Sequence, residues 1–292
     1  MIKRNIKKMV ISLICILGAS IVAILVHALM PSPGGTINID AFNSLLVQKF
    51  GFPVVASSYF IFLYLHILIV LLCFGLKSNM GNKKIGLRFG AAFALIYFMG
   101  MQEVVIESSP FSSWGFGFVS YQFFMGLGDA IPAFILCIVI TALIFSKKKN
   151  EISLKPQPNK GKLLSIGVIA LTFFSERTIG YIVGYVDSDI EKFPIPVLIW
   201  TAIFGIIYGI AFILLYPIYS EHKGSLMSSI NILVFTLGIN WMIFNSFIGM
   251  IFAGTLMKML LRSGVDAAAI FIVMILFKKL TSKFHLFEIK RG

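Results

Sequence analysis

Hydrophobic residues along this chain fall into long, nearly unbroken runs, and the polar residues gather between them. Eight runs approach the ~20 residues that a helix needs to cross a ~30 Å hydrocarbon layer. They predict spans at 9–30, 56–76, 87–108, 119–145, 163–185, 195–217, 226–248 and 264–279. Lipid offers no partner to an unpaired backbone group, so every span is expected to be helical. The predicted fold is an all-α, polytopic integral membrane bundle, with residues 1–292 forming a single transmembrane domain. The first run follows a basic start, as a secretory signal does. It is long and lacks a small-x-small cleavage site, so it is expected to remain as the first span.

The polar intervals set an orientation. Of the 25 basic residues, 20 lie in one alternating set: the N-terminus, Lys77 to Arg88, residues 147–162, Lys223 and the C-terminal tail. The opposite intervals carry Asp40, Asp187, Asp189 and Glu191. The positive-inside rule then predicts that both termini are cytoplasmic, in agreement with an even number of spans. The interval 147–162 contains Pro156 and Pro158 and divides the chain into halves 1–146 and 163–292, with four spans each. A repeat of that kind would be parallel, related by an axis along the membrane normal.

Two segments are expected on the outer surface. Residues 31–55 turn at Pro31, Pro33, Gly34 and Gly35, then show helical apolar spacing at Phe42, Leu45, Leu46 and Phe50. Residues 246–263 stay apolar but carry Lys258 and Arg262, which predicts an interfacial or re-entrant helix. Within the spans, Gly126 with Ala130 and Gly205 with Gly209 predict close helix contacts. Pro132 predicts a kink beside Asp129. Trp114, Trp200 and Tyr185 fall near predicted interfaces, as an aromatic belt would.

Composition sharpens this picture. The chain is 58% hydrophobic and 13% charged, against about a quarter charged in soluble domains. A net charge of +13 does not point to nucleic acid, because the basic residues flank the spans. Cys15, Cys73 and Cys137 lie in apolar runs, without the spacing of a disulfide framework or a metal site. HExxH, GxSxG, CxxC and P-loop signatures are missing. No catalytic residue, metal ligand or cofactor is assigned, and an enzyme is not expected. The expected location is a cell membrane, that of the bacterial cytoplasm, with lipid as the surrounding partner.

The candidate chemistry lies inside the spans. The stretch FFSERTIGYIVGY, residues 173–185, puts Glu176 and Arg177 within the fifth span. Charged groups at such depth are costly and default to a functional reading. Adjacent residues on a helix point about 100° apart, so each needs a partner from another span. Arg177 is expected to pair with Asp129 or Glu103. Counting rise along each span places Glu103, Asp129, Glu176, Arg177, His66 and Asn240 between mid-membrane and the outer leaflet, with Glu107 and Asn245 at an outer rim. Four acids then face one base, so carboxyls remain that need a proton or a cation. This predicts a small proton- or cation-coupled transporter with an acidic site open to the outside and a small-molecule or lipid substrate. A non-transporting immunity, assembly or sensor protein is the alternative. An intramembrane enzyme using Glu103, Glu176 and His66 is a third.

Overall fold

The computed structural model describes residues 2–30, 42–107, 115–146, 159–220 and 225–281. The turn at Pro31 to Gly35, Asp40, Trp114, the interval 147–158, Lys223 and the tail beyond 281 lie outside the described residues. The elements are α1 (Ile2–Leu29), α2 (Leu45–Phe50), α3 (Phe52–Val70), α4 (Asn82–Met101), α5 (Glu103–Ile106) and α6 (Gly115–Ile144). They continue with α7 (Asn159–Val183), α8 (Pro194–Ser220), α9 (Ser225–Ile230), α10 (Ile239–Ile251) and α11 (Leu256–Thr281). π-helical segments extend α3 over Leu71–Gly75 and join α9 to α10 over Asn231–Gly238.

Among the described residues there are eight helical stretches long and apolar enough to cross a membrane: Ile6–Leu29, Phe52–Gly75, Asn82–Ile106, Gly117–Ile144, Asn159–Val183, Pro194–Ser220, Leu226–Ile251 and Leu256–Lys279. The protein is therefore an all-α, multi-pass membrane bundle. Its outward surface carries large apolar side chains such as Leu13, Phe62, Ile135, Ile182 and Leu276. They face lipid, which removes the usual reason to bury them.

The expectation for residues 246–263 is overturned. The helix that contains Asn240 runs to Ile251, the chain turns at Phe252 to Thr255, and α11 starts at Leu256. Gly254 adopts φ 76°, a left-handed conformation that suits glycine. The last span thus begins eight residues before the predicted 264 and carries Lys258 and Arg262 inside its helix. Trp200 is also no interfacial belt residue. It is buried and its indole N–H donates to the Met99 carbonyl at 3.0 Å.

Contacts between segment ends fix how the spans alternate. At one face, Ser44 donates from its backbone N–H to the Ile251 carbonyl at 3.2 Å and from its hydroxyl to that of Met250 at 2.5 Å. The Asp189 N–H donates to the Ile106 carbonyl at 2.9 Å, and Lys258 reaches Asp187 at 2.6 Å. At the opposite face, which also receives the N-terminus, the Asn82 amide donates to the Phe145 carbonyl at 3.1 Å. The Arg88 guanidinium donates to the Leu214 carbonyl there at 2.9 Å. We call these the far face and the terminal face.

Part of the packing order recurs along the chain, while two with four and six with seven pack without a comparable counterpart four spans away. Spans one and two, one and four, and three and four pack directly; so do five and six, five and eight, and seven and eight. The halves meet through two with seven and three with six. A shift by four spans exchanges those last two pairs. Small residues permit the closest approaches. A Cβ on Gly205 would lie 2.9 Å from the Ala170 carbonyl oxygen, and one on Gly209 would lie 2.9 Å from Ile166 Cα. Those two glycines let α8 seat its backbone on α7, as the small-xxx-small spacing predicts.

Candidate functional site

The buried polar residues form two centres and not one slab. The first joins spans three, five and eight near the far face. Arg177 sits in α7 with no exposed surface. Its Nε and Nη2 donate to the two carboxylate oxygens of Asp266 in α11, at 2.6 and 2.5 Å. Its Nη1 donates to Glu103 Oε1. The other Glu103 oxygen accepts from Arg262 Nη2 at 3.1 Å, and Arg262 Nη1 donates to Glu107. Span seven completes the set. Asn245 Oδ1 accepts from Arg262 at 2.7 Å, and the Trp241 indole N–H donates to Asp266 at 2.8 Å. Phe173 places its ring 5.2 Å from the Arg177 guanidinium carbon.

Every nitrogen of both guanidiniums donates a charge-assisted bond, the strong class of hydrogen bond. The space beside this lattice, bordered by Glu103, Glu107, Asn245 and Arg262, is only ≈ 30 Å³, room for about one water. Burial pushes the Glu107 carboxyl above its ordinary range, although Arg262 draws it back. Arg177 pairs with Glu103, one of its two expected partners. Asp129 lies elsewhere, and the charge count changes: Arg262 and Asp266 enter, so two bases face three acids. The signal for both was their i, i+4 spacing in LLRSGVDAAA, which puts them on one helical face.

Glu176 stands at the edge of this lattice. The Tyr185 hydroxyl donates to its Oε1. Its Oε2 is buried without a hydrogen-bond partner, and the carboxyl lies against that of Asp266. Two carboxyls in contact need a proton or a cation between them.

The second centre lies among spans one, two, three, four and seven. Asp129 in α6 is completely buried, and neither of its carboxylate oxygens accepts a hydrogen bond among the described residues. The basic side chain beside it is His27 of α1, with Nε2 3.3 Å from Oδ1 and no hydrogen bond between them. The approach depends on Gly128. A Cβ there would lie 2.7 Å from Val26 Cγ1 and 3.3 Å from His27 Cε1. Pro132 lies inside α6 and removes the donor that the Gly128 carbonyl would use in an unbroken helix. The hydroxyls of Tyr59, Tyr64 and Tyr97 lie within electrostatic reach of Asp129.

Tyr97 gathers the remaining candidates. Its hydroxyl accepts from Asn240 Nδ2 at 2.7 Å, and the same amide nitrogen lies 3.2 Å from His66 Nδ1. His66 Nε2 faces the Phe235 carbonyl, in the π-helical segment, at 3.1 Å. A carbonyl only accepts, so His66 carries its proton on Nε2 and Nδ1 accepts. Asn240 Oδ1 and the Tyr64 hydroxyl remain buried without partners.

Of the eight predicted site residues, seven are buried inside the bundle and Glu176 is half-buried at its side. Glu103, Glu107, Arg177 and Asn245 share the first centre, Asp129, His66 and Asn240 belong to the second, and Glu176 borders a groove outside both. His27, Arg262 and Asp266 are additions. Among the described residues no group of three metal-ligating side chains comes together. In the DSDIE turn Asp187 is held by Lys258 and Asp189 by Lys192 at 3.5 Å. Comparison with known protein families, curated proteins and solved structures finds no match.

Proposed function

We propose that this is a small proton- or cation-coupled permease of the cell membrane, in which His27 and Asp129 form the exchanging pair. The observation that carries the reading is the Asp129 carboxylate, buried with no hydrogen-bond donor and with a histidine 3.3 Å away. The His27 Nδ1 faces the Ala23 carbonyl at 2.8 Å, so Nδ1 keeps its proton. Nε2 and Asp129 then share one exchangeable proton. It sits on the carboxyl of a neutral pair or on the imidazole of an ion pair. Removing it leaves a lone pair against a carboxylate, which a cation or a returning proton relieves.

The recurring part of the packing order supports the same assignment. A shift by four spans carries the span one–span four pair, His27 with Asp129, onto the span five–span eight pair, Arg177 with Asp266. One position holds an arginine, whose guanidinium keeps its charge, and the other a histidine, whose side chain is able to take up and release a proton. A fixed pair in one half and a titratable pair in the other fits a rigid scaffold with one moving charge. In this reading both termini are cytoplasmic and the far face is external.

The ion lattice favours a structural role for its own residues. Glu103, Arg177, Arg262 and Asp266 lock spans three, five and eight, and they are not the coupling groups.

The test is proton flux in liposomes loaded with a pH indicator, with Na⁺ and then hexylammonium as trial solutes. Solute-driven flux that is lost in Asp129→Asn and in His27→Phe supports the proposal. Flux that survives both, or wild-type liposomes that show none above protein-free liposomes, contradicts it and favours a non-transporting role.

A further inference from the structure

A groove of ≈ 450 Å³ opens on the lipid-facing side of the bundle between α7 and α11. Its walls are apolar, from Leu171, Ile179 and Val273. Its polar groups come from four neighbours: Thr172, Ser175, Glu176 and Tyr185. The Thr172 hydroxyl donates to the Val168 carbonyl at 2.7 Å, so its oxygen is left to accept. Tyr185 donates to Glu176 and presents its oxygen likewise. The groove therefore offers one carboxylate and several accepting oxygens, without a cationic side chain on its wall. Arg177, the next residue, is turned inward and spent on Asp266 and Glu103.

We infer that this groove binds a lipophilic organic ammonium that enters sideways from the bilayer. Its N–H groups would meet Glu176 and the neighbouring oxygens, and its hydrocarbon would lie along Leu171, Ile179 and Val273. Charge complementarity selects a cation. Depth selects a membrane-dissolved amine over the headgroup of a bilayer lipid. Glu176 is seven residues before the end of α7, roughly 10 Å below it at ~1.5 Å per residue. The Lys258–Asp187 bridge, 2.6 Å long, ties the start of α11 to the chain that follows α7, across the far end of the same two helices. Lipid is thus the open route to the groove. The inference stands on this groove alone and does not depend on proton exchange at Asp129.

The test is photoaffinity labelling in native membranes. The probe is an alkyl primary amine with a diazirine in its chain, and the matched alkyl alcohol is the control. The expected result is amine labelling of residues 171–185 and of the segment around Val273, about tenfold above the alcohol. Excess unlabelled dodecylamine should compete with it. Glu176→Gln keeps the Tyr185 hydrogen bond and should reduce labelling about tenfold. Ile179→Trp fills the groove from its lipid side without touching the ion lattice, and should do the same. Equal labelling by amine and alcohol overturns the inference. So does amine labelling unchanged in both folded variants, label confined to other segments, or cross-linking of the groove to another membrane protein in place of the amine.

Discussion

At the scale of single residues, Arg177 shows what the sequence made legible and what it hid. A guanidinium at this depth needs carboxylates from other spans, and that need follows from chemistry alone. The identity of the second carboxylate does not, because Asp266 lies only two residues into the predicted span 264–279, and distance along a span gives no lateral position. Removing Arg177 strands both Glu103 and Asp266. Breaking a buried pair by deleting one partner costs about 3–5 kcal/mol. Arg177→Leu is expected to lose stability of that order in detergent unfolding. Adding Asp266→Asn should recover part of the loss, whereas adding Asp129→Asn should recover none, since Asp129 faces His27. Recovery through Asp129 would contradict the pairing.

At the scale of elements, run length located all the spans but could not place the hairpin between α10 and α11. Lys258 and Arg262 look alike in a hydropathy pattern, yet they have opposite fates. Lys258 is half-exposed beside Asp187 and marks the rim, while Arg262 is buried on Glu103 and Glu107. Four residues apart, they share one helical face; what separates them is one turn of depth and the acids that neighbouring spans present there. Gly128 was similarly illegible beside Gly126 and Ala130, because its importance lies in α1 and not in α6. Gly128→Leu is expected to push α1 from α6 and to cost about 1–3 kcal/mol, as overpacking does. It should also separate His27 from Asp129. A cysteine pair at positions 24 and 131, on the same two spans, reads the displacement through spin-label distances. An unchanged distance in a folded Gly128→Leu variant would contradict the contact.

At the scale of the whole molecule, the even span count and the basic interval 147–162 predict two four-span halves. The part of the packing order that recurs four spans apart was not legible, since no clear sequence repeat accompanies it. Packing order depends on which small and aromatic residues meet across spans, and different side chains can satisfy one arrangement. The two centres are hidden in the same way. Distance along each span gave a common depth for the polar residues, but depth carries no lateral coordinate. That is why one acidic slab was expected where the bundle holds an ion lattice and a separate histidine–aspartate pair. The lattice fixes one half, and the pair is the proposed exchanging element of the other. Infrared difference spectroscopy on the reconstituted protein during a pH step, with isotope-labelled histidine, tests this most directly. The account predicts that signals from His27 and the Asp129 carboxyl appear in a single common step, and that Asp129→Asn and His27→Phe each remove both. A His27 signal that titrates identically in Asp129→Asn would contradict it.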